Sequence, residues 1–186
     1  METESYILFD GRPVNCNCTE NEIKVYDFLD KINLKYKTLK HPVAFTMEEC
    51  QKVRDKIGAP VAKNLFLCNK QQTQFYLLIM PAEKVFKTKY LSSQINSARL
   101  SFADENHMMA KLGVKPGSVT PMGLLNDKET QVKLLIDEDL RKEGQFACHP
   151  CINSASVVMS FKDFIEKVIP SFMHQINWVS LPWEIE

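Results

Sequence analysis

Asn64-Leu65-Phe66-Leu67-Cys68 and Phe75-Tyr76-Leu77-Leu78-Ile79-Met80 are two compact apolar runs joined by Asn69-Lys70-Gln71-Gln72-Thr73. Short unbroken apolar runs bounded by polar turn residues suit strands covered on both faces. Their close spacing predicts an antiparallel hairpin at the centre of a sheet. The second run stops at Pro81, far short of the roughly 20 apolar residues that a bilayer-spanning helix needs.

Elements alternate outward from this hairpin. Upstream, Thr19 with Glu22 has the spacing of a capping box, and Ile23, Tyr26, Leu29 and Ile32 follow at helical intervals, which predicts a helix over about 20–33. Leu34, Tyr36 and Thr38 alternate with lysines as in a half-buried strand. Thr46 with Glu49 repeats the capping box, and Gly58 closes a second helix over about 46–57. Downstream, the pattern predicts a helix over 88–96, a short strand from Arg99 to Phe102, and a helix from Asp104 to Leu112 ended by Gly113. Strands follow near 130–136 and 154–159, and Ser160 with Asp163 opens a last helix that Pro170 stops. Residues 1–18 lack a clear period and form an N-terminal extension, whereas the 171–186 tail, with Trp178 and Trp183, is expected to pack back on the domain. The fold class is a single α+β domain.

The 186 residues are 45% hydrophobic, enough for one domain with a real core. The formal net charge is zero, so global electrostatics announce no nucleic-acid partner. Lys35, Lys37 and Lys40 form one local group and Lys84, Lys87 and Lys89 another; both are expected to be solvated surface lysines. Glu2, Glu4 and Asp10 do not suit a signal peptide. A cytoplasmic location follows as an expectation, with the six cysteines reduced.

Familiar motifs are missing. The chain has no glycine-rich dinucleotide fingerprint, no phosphate-binding loop ending in Gly-Lys-Ser/Thr and no Gly-x-Ser-x-Gly elbow, so no cofactor is expected. Cys148-His149-Pro150-Cys151 has two thiols at zinc spacing, but a closed site needs two more ligands and Cys16 with Cys18 is wrongly spaced to supply them. No metal is expected.

Gly117-Ser118-Val119-Thr120-Pro121 concentrates conformational control, with Gly113 and Pro116 before it and Gly123 after. Glycine permits positive φ and proline fixes φ, so the stretch is either a shaped turn or a frame that presents backbone N–H groups to an oxyanion, an ester or a phosphate. Lys63 opens the first apolar run, where its stem can be buried and its ammonium directed into a pocket or out to solvent. His149 precedes a proline on a loop, with Asn153 close by.

Taken in order, His41 through Thr46, Lys63-Asn64-Leu65-Phe66-Leu67, Leu100 through Ala103, Leu112 through Pro121 and His149-Pro150 closely resemble the prolyl-tRNA synthetase-associated domain, the YbaK-like aminoacyl-tRNA deacylase superfamily. The resemblance covers about residues 20–170 and is strongest to its free-standing ProX or PrdX-like prolyl-tRNA editing members. It implies a mixed, mostly antiparallel, barrel-like sheet flanked by helices, with the deacylase domain over 19–170. It also implies a trans-editing hydrolase that removes a wrong amino acid, alanine first among the candidates, from proline tRNA. Lys63, Gly117 and His149 take the catalytic positions. Ser118 and Pro121 belong to the substrate loop, Phe45, Thr46 and residues near Leu124 are candidate pocket walls, and Asp137 matches a less specific acidic position. The implied partners are the acceptor end of mischarged proline tRNA and prolyl-tRNA synthetase. A binding module that holds aminoacyl-tRNA or an amino acid without hydrolysis, as a regulator of proline metabolism, is the alternative reading.

Overall fold

The computed structural model describes residues 6–14, 17–44 and 46–184. The two apolar runs form β3 (Lys63–Asn69) and β4 (Phe75–Met80), which pair antiparallel with Leu65 opposite Leu78. Asn69 builds the turn between them: its side-chain oxygen accepts the N–H groups of Thr73 at 2.9 Å and Gln74 at 3.1 Å. The register puts Phe66, Phe75, Leu77 and Ile79 into the main core and Leu67, Tyr76, Leu78 and Met80 into a second cluster behind it. Every residue of β4 is buried, which explains a run with no polar alternation.

Nine strands form two sheets among the described residues. The five-stranded sheet has the order β5 (Leu100–Phe102), β3, β4, β6 (Val132–Asp137), β9 (Ile176–Val179). Its β5–β3–β4 part is antiparallel, whereas β6 and β9 join parallel. The four-stranded sheet is antiparallel, in the order β1 (Ile7–Asp10), β2 (Lys37–Lys40), β8 (Ala155–Ser160), β7 (Gln145–Cys148). A single parallel bridge, Val61 to Ala147, stitches the two together. The mixed, mostly antiparallel α+β architecture agrees with the expectation.

Helices α1 (Glu20–Lys31) and α2 (Met47–Ile57) both open with the capping boxes that the sequence shows, at Thr19–Glu22 and Thr46–Glu49. Glu22 is buried and its carboxylate also meets the Lys40 ammonium at 2.5 Å, so Lys40 is not a freely solvated lysine. Helices α3 (Thr88–Gln94) and α4 (Glu105–Leu112) lie on either side of β5 in the chain. The last helical segment runs as α5 (Phe161–Asp163), a π-turn (Phe164–Val168) and α6 (Ile169–Ser171). It therefore continues through Pro170 rather than stopping there, because the wider turn, with Ile169 N–H bonded to the Phe164 carbonyl, breaks the ladder where Pro170 has no N–H to give. Residues 7–10 of the segment read as an extension contribute a strand. No helix among the described residues is long and apolar enough to cross a membrane.

Lys84 departs most from its sequence reading. It is fully buried, not solvated. Its ammonium donates to both Asp137 oxygens at 2.8 and 2.9 Å and to the Leu181 carbonyl at 2.6 Å, with Asp139 also at 2.8 Å and the Trp183 ring 5.0 Å away. Asp137 in turn accepts the Asp139 and Leu181 N–H groups. The cluster thus ties the end of β4 to the end of β6 and to the chain after β9. Removing one member of a buried pair leaves an uncompensated charge. Lys84→Met is expected to lower the unfolding free energy by about 3–5 kcal/mol in urea titration, and adding Asp137→Leu should recover much of it; an unchanged midpoint for the single variant would contradict this role.

Candidate functional site

The loop after α4 is a turn whose chemistry the sequence declares. Ser118 N–H donates to the Lys115 carbonyl at 3.0 Å, Pro116 occupies the first central position, and Gly117 takes φ +82°, the left-handed value that a type II turn requires of its second. Ser118 is buried and its N–H is spent within the turn, so it is not a free donor as expected. The Gly117 and Val119 N–H groups have no acceptor among the described residues. Pro121 opens a buried 3-10 turn (Pro121–Leu125) that Thr120 caps through its hydroxyl. Gly123 in this turn approaches Leu112 so closely that a β-carbon there would lie 2.9 Å from the Leu112 β-carbon, which fixes the loop against the end of α4.

Thr120 also joins the loop to the histidine. Its hydroxyl donates to the His149 carbonyl at 2.6 Å. The His149 ring donates Nδ1–H to the Ala155 carbonyl at 2.9 Å, which leaves Nε2 as an unprotonated acceptor with no partner among the described residues. His41 stands beside it, ring centroids 6.3 Å apart. His41 is buried; it donates Nδ1–H to the Pro42 carbonyl at 2.7 Å and accepts from the Ser156 hydroxyl at 3.0 Å. Backbone bonds from His41 to Ser154 and from Ala44 to Asn153 hold the two histidine-bearing segments together. Burial pushes both imidazoles below their ordinary pKa, and for His41 the neighbouring His149 adds to the effect.

Lys63 begins β3 two residues beyond Val61, just as His149 lies two residues beyond Ala147, so the Val61–Ala147 bridge sets the two segments side by side. The Lys63 ammonium donates to the Lys84 carbonyl at 2.9 Å, and its other two N–H groups have no acceptor among the described residues. It stands between two hollows, one of about 580 Å³ shared with Phe86 and Phe102 and one of about 240 Å³ shared with Cys50, Arg54 and Ala82. Neither hollow is lined by His149 or by Gly117–Pro121.

The other expected positions divide. Asp137 is fully buried and ion-paired with Lys84, so it is a structural carboxylate rather than a substrate ligand. Thr46 spends its hydroxyl capping α2. Leu124 is buried in the main core and offers no open wall. Phe45 lies outside the described residues. Cys148 and Cys151 are buried, and desolvation raises both thiols, Cys151 to about 12, which keeps them protonated and unsuited to a nucleophilic role at neutral pH. Cys18 is disulfide-bonded, so the expectation of six reduced cysteines does not hold throughout.

His41, Ser156 and Asn64 were not singled out as site residues. Asn64 carries the one buried side-chain oxygen without a hydrogen-bond partner among the described residues. It shares a β3 face with Phe66 and Cys68, toward the main core. An amide inside an apolar run was its signal, since an unpaired buried acceptor is costly unless something binds it.

The aminoacyl-tRNA editing domain matches residues 41–167. The chain belongs to that family. It is 34% identical over 141 residues to the prolyl-tRNA editing protein ProX of Acetoanaerobium sticklandii, covering 76% of this chain and 85% of that protein. It is 31% identical over 141 residues to the prolyl-tRNA synthetase associated domain-containing protein 1 of Danio rerio, covering 75% and 76%. The solved structure of a candidate trans-editing enzyme for prolyl tRNA synthetase superposes with a TM-score of 0.67 at 15% identity over 89% of this chain and all of that one, which supports the fold. The enzyme class is accordingly an aminoacyl-tRNA hydrolase, acting on an ester to tRNA.

Two outcomes follow from the geometry. Thr120→Val removes a cap and the bond to His149, and should cost about 1–2 kcal/mol in urea unfolding, with an unchanged midpoint contradicting it. Histidine ring resonances should place both His41 and His149 below the ordinary value of 6.5. Because the unfolded chain takes up these protons first, stability is lost as pH falls below 6.5 and is unaffected by them above it; a folded-state value above 6.5 for either ring would contradict the assignment.

Proposed function

We propose that this chain is a trans-editing hydrolase that removes alanine from mischarged proline tRNA. The observation that carries the reading is the His149 ring, locked by Ala155 through Nδ1 with a free neutral Nε2, and bonded through its carbonyl to the loop of Gly117. The names of the two curated relatives, which concern prolyl-tRNA editing and the prolyl-tRNA synthetase-associated domain, support the choice of tRNA.

The reaction needs no protein nucleophile. An ester is already activated, and positioning a water while stabilising the tetrahedral oxyanion supplies the acceleration. His149 Nε2 orients the water and accepts its proton as the water oxygen bonds to the ester carbon. The Gly117 and Val119 N–H groups and the free N–H groups of Lys63 are the donors for the oxyanion and the substrate. Collapse breaks the bond to the ribose oxygen, which takes the proton, so the products are free alanine and tRNA with its terminal hydroxyl restored.

Alanine is an amino acid that proline selection handles poorly. A site large enough for proline admits a smaller apolar side chain, and missing methylene groups are worth only about 1–3 kcal/mol each in discrimination. A second site that admits alanine and excludes proline by size corrects the error. Contact with prolyl-tRNA synthetase would bring the hydrolase to tRNA as it is released.

Proline tRNA charged separately with alanine, cysteine, serine and proline tests this. Alanine should be released at least about tenfold faster than proline, in keeping with one or two methylene groups of discrimination, and faster than cysteine or serine. Equal loss of the prolyl ester, or no loss of the alanyl ester, would contradict the proposal.

A further inference from the structure

Lys87 and Lys89, two of the lysines expected to be merely solvated, border the open groove of about 580 Å³ that Lys63 also lines. Phe86 and Phe102 complete its walls, and no carboxylate is among its lining residues. None of the three ammonium groups has an ion-pair partner among the described residues, although the whole chain has no net charge. Phe102 lies at the end of the three-residue edge strand β5 and is 60% exposed, with the Phe86 ring edge-on to it at 6.2 Å. The groove thus sets an exposed apolar ring beside three cations with no carboxylate in ion-pair contact, Lys89 also lying over the Tyr90 ring at 5.1 Å and Lys63 donating to the Lys84 carbonyl. It matches a polyanion that carries flat bases.

We propose that this groove binds the single-stranded 3′ end of the tRNA, with Lys87 and Lys89 on successive phosphates and a base stacked on Phe102. The inference rests on the hydrolase reading above. Single strands are held by this combination, cations that follow the backbone and aromatic faces that take the bases without reading their sequence. Lys63, one of the residues assigned to the ester, also lines the groove, so a strand lying along it brings its terminal ribose to that lysine. Lys35 and Lys37, by contrast, line a separate hollow beside Asp10 and Asp30 and are expected to contribute nothing.

The test is binding of a fluorescent RNA hairpin with an unpaired 3′ extension ending in CCA, followed by anisotropy across a salt series with the full-length protein. Phe102→Ala should weaken binding about fivefold or more, the least that loss of one stacked base predicts, with the salt dependence unchanged. Lys87→Ala/Lys89→Ala should reduce the slope of log affinity against log salt by about 1.4, from about 0.7 per phosphate on a single strand. Lys35→Ala/Lys37→Ala should bind as the wild type does, and the same hairpin with a blunt end should be indifferent to Phe102→Ala. The proposal is overturned if the wild type does not bind the hairpin, if neither groove variant changes its binding, or if the lysines matter while Phe102 does not, which would indicate a surface for polyanions in general. Ester release by the wild type, measured separately, keeps the two readings apart. Groove-dependent binding without ester release would overturn the hydrolase and leave the groove; ester release with groove-independent binding would do the reverse.

Discussion

The buried Lys84 ammonium is the constraint around which this molecule is arranged. A cation with no exposed surface must be surrounded by acceptors, and here they come from Asp137, Asp139 and the Leu181 carbonyl. Those groups belong to the end of β6 and to the chain beyond β9, so the requirement of one side chain sets where the C-terminal segment lies. The same residue also points toward function. Its carbonyl receives the Lys63 ammonium, so the inner half of Lys84 organises the core while its backbone positions a lysine of the candidate site.

The candidate site has the same economy. Thr120 uses one hydroxyl to cap a 3-10 turn and to hold the His149 carbonyl, joining the glycine loop to the histidine. The Val61–Ala147 bridge joins the two sheets two residues before Lys63 and two before His149. Lys63 sits on a strand while Gly117 and His149 sit on loop segments that Thr120 ties together, and the candidate groups are left with unused hydrogen-bonding capacity: Nε2 of His149, two N–H groups of Lys63, the N–H groups of Gly117 and Val119, and Asn64 Oδ1. Of these, Asn64 Oδ1 is the one buried side-chain polar atom without a partner among the described residues, and such an atom is costly to folding unless a ligand meets it, whereas Gly117 is exposed and Lys63, Val119 and His149 are partly so.

What could be read in the sequence was local. The hairpin of β3 and β4, the two capping boxes and the turn at Gly117 depend on residues a few positions apart, and their spacing announces them. Strands β1, β7 and β9 were not anticipated, because short strands have little period of their own and β9 is defined by its parallel pairing to the distant β6. Lys84 was misplaced for the same reason: nothing near it in the chain reveals Asp137. Asp137 in turn looked like a substrate ligand because an acidic residue at a strand end often is one, whereas its partner, seen only in three dimensions, gives it a structural task. Lys63, Gly117 and His149 are candidates that resemblance and order put forward; Asn64 and His41 join them only through an unpaired atom and a neighbouring ring.

The central claim is that an ester is hydrolysed here with Lys63 supplying hydrogen-bond donors. Its most direct measurement is the single-turnover rate of alanine release from proline tRNA, at saturating protein, by wild type and by Lys63→Ala whose folding has been checked by urea titration. Loss of an oxyanion donor predicts a rate lowered about a hundredfold or more. A Lys63→Ala protein that is folded and releases alanine at the wild-type rate would contradict the account.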